Sequence, residues 1–169
     1  TQGDVYIYET KRIEKGGPPL HVHQDQDEWF RVVEGEYAAK AGEELFLCKA
    51  GNSVFVPRKV AHAFAKVNEG LAILLIMFQP AGRMEEFFSE RRKRGPFANQ
   101  QEEQTFWRVY GMELLGLPFP PNKRPICRYS LVIIRASRKL TLQRWCDGHW
   151  QMVTHHSTEV RKKQHWPSS

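Results

Sequence analysis

The sequence has 169 residues, 41% of them hydrophobic, with 25 Lys and Arg against 19 Asp and Glu. That is one ordinary domain with some chain to spare, and no run approaches the roughly 18 apolar residues needed to cross a bilayer. The net charge of +6 is uneven: residues 1–119 carry 15 Lys/Arg against 17 Asp/Glu, a net of −2, and residues 120–169 carry 10 against 2, a net of +8. The main body is slightly acidic, so the basic total does not indicate a nucleic-acid partner.

Three widely spaced cysteines, Cys48, Cys127 and Cys146, argue against a disulfide framework and suit a reducing cytoplasm. No cationic, apolar signal segment opens the chain, and Thr1 in place of Met is read as the sign of a missing upstream piece.

From Asp4 to Phe78 the pattern is strand-like. Val5–Thr10 is β-rich, and Glu28–Val33 alternates before a turn at Glu34-Gly35-Glu36. Glu44–Cys48, Ser53–Val56, His62–Val67 and Leu71–Phe78 follow, broken at Gly51, Pro57 and Gly70. Many short strands with frequent turn signals predict a mainly β sandwich or barrel. Gly35 and Gly51 are expected to supply turns with positive φ, and Cys48 to be a small buried apolar residue.

Helical spacing then appears at Met84, Phe87, Phe88 and Arg91, with acids first and Arg91-Arg92-Lys93-Arg94 last, an order that complements the helix dipole. Phe87 and Phe88 are read as packing this helix on the barrel. The basic run is read as a solvated helix end, with anion or nucleic-acid binding as the alternative. Asn99 and Glu102 offer a capping pair for a second helix reaching about Tyr110, and residues 111–116 read as a closing extended piece. These boundaries give a barrel over 1–80, a helical extension over 81–118 and a basic tail over 119–169. Within the tail, 130–134 reads as a strand. Three origins for the tail stay open: a basic appendage, a disordered segment, or translation of a shifted reading frame, which the source DNA across codons 115–125 would reveal.

The chemistry concentrates in Leu20-His21-Val22-His23-Gln24-Asp25-Gln26-Asp27-Glu28. On a strand, His21 and His23 leave the same face, so both rings can grip one ion. The Gln24–Asp27 run is a turn, its acids read as solvated and without catalytic roles. It brings Glu28 back beside the rings, and His62, beyond Pro57, can add a third nitrogen. Three imidazoles and a carboxylate suit one divalent first-row metal ion with open positions; Fe(II), Mn(II), Ni(II), Cu(II) and Zn(II) are not distinguished. A barrel without metal, or three histidines of merely structural use, is the competing reading. Phe30, Val32 and Phe64 share strand parity with Glu28 and His62, so they line a pocket or fill a core, which in a small barrel are the same positions.

These residues resemble the two motifs of the cupin superfamily. His21-Val22-His23, four residues, Glu28, six residues and Gly35 follow the first, with its leading glycine expected slightly earlier than Gly16 or Gly17. Gly51, Pro57 and His62 stand at the spacings of the second. Lys59 replaces the middle glycine, and Lys66 stands where an asparagine often sits, with Asn68 nearby; neither change removes a ligand.

The resemblance spans roughly residues 4–80. It implies a single RmlC-like jelly-roll β-barrel followed by C-terminal helices and a basic, poorly ordered tail, as in small single-domain type-2, quercetinase-like cupins. It further implies metal ligands at His21, His23, Glu28 and His62, with Glu28 also a catalytic base. The expected activity is a metal-dependent dioxygenase acting on a small chelating phenolic or enediol-like substrate. A non-catalytic small-molecule or sugar-binding cupin, a metal-dependent isomerase or a vestigial storage cupin are alternatives. Small cupins of this kind imply a homodimer, with Val5–Tyr8 as the candidate edge, no membrane and no nucleic acid.

Overall fold

Period-two burial sets the architecture. In strand β3 (Asp27–Glu34) Glu28, Phe30 and Val32 point inward while Arg31 and Val33 are exposed. In β8 (Ala72–Gln79) Ala72, Leu74, Ile76 and Phe78 are buried. Such alternation lets each strand carry one face of a core and one outer face. The computed structural model describes residues 3–118 together with three later strands.

The other elements are β1 (Tyr6–Arg12), β2 (Pro19–His23), β4 (Glu36–Ala41), β5 (Glu44–Lys49), β6 (Ser53–Val56) and β7 (His62–Lys66), then helices α1 (Met84–Lys93) and α2 (Gln100–Val109), and strand β9 (Met112–Pro118). One sheet has the order β5-β4-β7-β2-β9. The other runs β1-β8-β3-β6 and continues into β10 (Leu131–Ile133), β11 (Leu140–Cys146) and β12 (His149–His155). The core lies between the sheets, built on Phe30, Val32, Tyr37, Phe46, Leu74 and Phe78. This is the expected mainly β jelly-roll barrel with two helices after it.

The strand expected at 130–134 is present as β10, which runs parallel to β6. Apart from β10–β12, the expected basic tail and its three possible origins lie outside the described residues. Among the described residues no helix is long and apolar enough to cross a membrane.

The helices form as their sequences dictate. Glu85 and Glu86 occupy the first turn of α1 and Arg91, Arg92 and Lys93 its last. Asn99 Oδ1 accepts from the Glu102 amide at 2.9 Å, and Glu102 Oε2 accepts from the Ala98 amide at 2.7 Å, a reciprocal cap close to the capping box. Phe88 meets Tyr8 at 4.4 Å between ring centroids, and Phe87 meets Trp107 at 5.1 Å. The aromatic pairs thus fasten α1 to β1 and to α2, each worth about 0.5–1.5 kcal/mol beyond simple burial.

Gly35 and Gly51 have φ of 83° and 88°, as the turns require. Cys48 is buried in the core, and burial pushes its thiol up to about 12. Lys66 is fully buried on the strand face of His62 and Phe64, and its Nζ donates to the Asn68 carbonyl at 2.6 Å. Asn68 itself fixes the turn, its Oδ1 accepting from the Glu36 amide at 3.0 Å.

Lys59 is the one described residue other than glycine with positive φ, at 67°, a backbone shape that favours glycine. A side chain there costs about 1–2 kcal/mol, offset in part by the greater freedom glycine has when unfolded. Lys59→Gly should therefore raise stability by roughly 0.5–1 kcal/mol, read as a higher urea midpoint at unchanged slope. A lower midpoint would contradict the strain.

Candidate metal centre

The four candidate ligands come from both sheets. His21 in β2 is registered opposite His62 in β7, and Glu28 in β3 lies between Val56 and Phe78 of the facing sheet. All four are buried, His21 at 3%, His23 at 1%, Glu28 and His62 at 2% exposure. One ligand atom from each lies within 4.8 Å of every other. The sequence expectation that the turn after His23 returns Glu28 to the rings matches this geometry.

Each imidazole is oriented by the hydrogen bond on its outer nitrogen. His21 Nδ1 donates to the Pro19 carbonyl at 2.8 Å and His62 Nδ1 to the Val60 carbonyl at 2.9 Å. His23 Nδ1 meets Gln26 Oε1 at 3.3 Å, and Gln26 Nε2 donates to the carbonyls of Pro80 and Ala81 at 3.1 and 2.8 Å. With the Nδ1 protons committed outward, the three Nε2 atoms face inward as potential donors to a metal, the arrangement in which outer hydrogen bonds fix tautomer and ring direction.

Two contacts at the centre call for a cation. His62 Nε2 lies 2.9 Å from Glu28 Oε2, where a neutral ring would aim its lone pair at a carboxylate oxygen. Either a proton or a metal ion must stand in that field. His23 Nε2 comes within 3.2 Å of the same oxygen yet not in hydrogen-bond geometry, and it is buried without a partner. Buried polar atoms are rarely left so. The donor set and the orphaned nitrogen together fit one metal ion.

The charges follow. Burial alone would push the Glu28 carboxyl up, but His62 and His23 outweigh it and hold the group well below the usual carboxylate range. Burial, reinforced by His62 and His23, pushes His21 far down, so that ring is neutral and its lone pair free. Burial opposes charge on His62 too, but Glu28 wins and raises it. Without metal, the proton belongs on the His62–Glu28 pair.

A cavity of about 420 Å³ opens onto His21, His23 and Glu28, within the size range of small-molecule sites. Of the three residues read as lining a pocket or filling a core, Phe64 lines it. Phe30 and Val32 do not: they lie deeper, at 1% and 0% exposure, where side chains fill the barrel, as they do in small barrels. The wall is completed by Met84, Phe87 and Phe88 of α1, Trp107 of α2 and Met112 of β9. Phe87 and Phe88 therefore both fasten the helix and face the site.

Two turn residues also differ from expectation. Gln26 is buried and carries His23. Asp27 is held rather than merely solvated, accepting from the Arg58 amide at 2.8 Å and from Arg58 Nη2 at 2.9 Å, which ties the turn after β2 to the turn before His62. A glutamine in a turn gives no such signal by itself; its spacing of three from His23 is the only cue.

Residues 3–78 match the family model described as "Cupin domain". The oxidoreductase iacF of Pestalotiopsis fici is 36% identical over 64 residues, 36% of this chain and 31% of that protein. An uncharacterized protein of Streptomyces coelicolor is 38% identical over 55 residues, 32% of this chain and 52% of that one. The matched segments thus span about a third and about half of those relatives. An RmlC-like cupin from Shewanella frigidimarina is 28% identical with a TM-score of 0.41, over 47% of this chain and 68% of that one. The match to the cupin family model over residues 3–78 coincides with the barrel that brings the three histidines and Glu28 together.

Proposed function

We propose that the chain is a metal-dependent oxidoreductase of the dioxygenase type, quercetinase-like, acting on a small chelating phenolic or enediol-like substrate. The observation that carries the reading is the inward convergence of three oriented Nε2 atoms on Glu28. The oxidoreductase name of the Pestalotiopsis relative supports it over the segment they share.

His21, His23, Glu28 and His62 hold one divalent ion, which when bound supplies Lewis-acid and redox chemistry at the substrate oxygens. Glu28, anionic and buried, accepts the proton of a substrate hydroxyl at a carboxylate oxygen, a role open to a carboxylate placed at the reacting group. Phe64, Phe78 and Trp107 orient the substrate and exclude water from it. The protein acts in a reducing compartment, with Cys48 kept as a free thiol.

Oxygen uptake with catechols and flavonols tests the reading. Uptake that needs the loaded metal and is lost in Glu28→Gln supports it. No uptake with any of them by metal-loaded protein would leave a binding module or an isomerase instead. The protein assembles as a homodimer through β1, the terminal strand of its sheet, whose outer edge can pair with a second copy. A monomer in sedimentation contradicts that assembly.

A further inference from the structure

Two arginines in the cavity wall are not explained by the metal site. Arg12 ends the inward face of β1 that also carries Tyr8 and Thr10, and all three line the cavity. Arg91 lies on α1 one turn beyond Phe87 and Phe88 and lines it too. Outside the cavity, Arg58, Arg83, Arg94 and Arg108 are each paired with a carboxylate. Arg12 and Arg91 have no such partner among the described residues; Arg91 only rests over the Phe97 ring at 5.1 Å. Arg31 and Arg92 are also unpaired and, like Arg91, exposed, but they do not line the cavity. Glu103 is the one carboxylate besides Glu28 in the wall, so apart from Glu28 the lining holds two guanidinium groups against one acid.

We infer that Arg12 and Arg91 select a substrate bearing a carboxylate, an aromatic acid whose chelating oxygens face the histidine cluster. This rests on the reading of the cavity as the substrate site. The rest of the wall, with Phe78, Phe88 and Trp107, suits a flat ring, and Arg is the side chain that matches a planar carboxylate with two parallel donors. A hydrogen bond to a charged partner that is lost on removing the charge changes affinity by roughly tenfold to a hundredfold.

The test uses the full chain loaded with metal under anaerobic conditions. Calorimetry compares 2,3- and 3,4-dihydroxybenzoate with their carboxamides, in wild type, Arg12→Gln and Arg91→Gln, with thermal melts to confirm folding. At least one acid should bind the wild type roughly tenfold or more tighter than its amide, and each substitution should reduce that preference by weakening the acid more than the amide. Equal binding of acids and amides, equal weakening of both in the variants, or no acid binding at millimolar concentration would overturn the inference. Arginine-dependent preference in a protein that takes up no metal would remove the oxidoreductase reading and leave this one standing. Metal-dependent catechol binding without acid preference would do the reverse.

Discussion

Gly17→Ala should abolish cooperative folding or cost at least about 3 kcal/mol, a large part of the stability of a domain this size. The reason is contact with backbone. A Cβ at Gly17 would lie 1.7 Å from the Phe64 carbonyl oxygen, 2.8 Å from its carbon and 3.1 Å from Ala65 Cα. The neighbouring Gly16 is bound to β7 from both sides, its amide donating to the Lys66 carbonyl at 3.2 Å and its carbonyl accepting from the Lys66 amide at 2.9 Å. Strand β7 cannot retreat, since β4 and β2 hold it on either side, and it carries His62. Urea unfolding measures the effect; a midpoint equal to the wild type would contradict this packing.

His62→Ala should lose metal retention and destabilise the metal-free protein at once. Removing the ring leaves the Glu28 carboxylate, 2% exposed, without its 2.9 Å partner. Breaking a buried charge pair in this way typically costs about 3–5 kcal/mol. Glu28→Gln removes the charge itself, so the double variant Glu28→Gln/His62→Ala should be more stable than His62→Ala alone, although neither binds metal. Stability of the double variant below that of His62→Ala would show that no uncompensated charge exists at the centre. Gln26→Ala, which frees the His23 ring and also removes the donor to the Pro80 and Ala81 carbonyls, should weaken metal binding by about 10–100-fold and cost about 1–3 kcal/mol of stability.

The ligands were legible because metal chemistry constrains both residue type and spacing. His21 and His23 need strand parity, Glu28 needs one turn, and His62 follows Pro57 at a motif distance. The strands and the cap of α2 were legible for the same local reasons, Asn99 and Glu102 being three apart. What sequence could not place was the third dimension of the cavity. Trp107 and Met112 reach it only because α2 and β9 fold back along β2, where His23 is registered with Met112. Phe30 and Val32 have the right parity but the wrong depth, and parity says nothing about position along the barrel axis. Gln26 and Asp27 looked like turn residues and are structural supports, since their partners lie at Pro80, Ala81 and Arg58, distant in sequence. Gly17 showed only as a motif glycine slightly out of place, with no sign of the carbonyl it must clear.

The metal content of wild-type protein purified without chelator tests the centre most directly. One equivalent of a divalent transition metal per chain, absent from His62→Ala and Glu28→Gln, is the expected result. No metal in the wild type, and none taken up when Fe(II), Mn(II), Ni(II), Cu(II) or Zn(II) is offered, would contradict it.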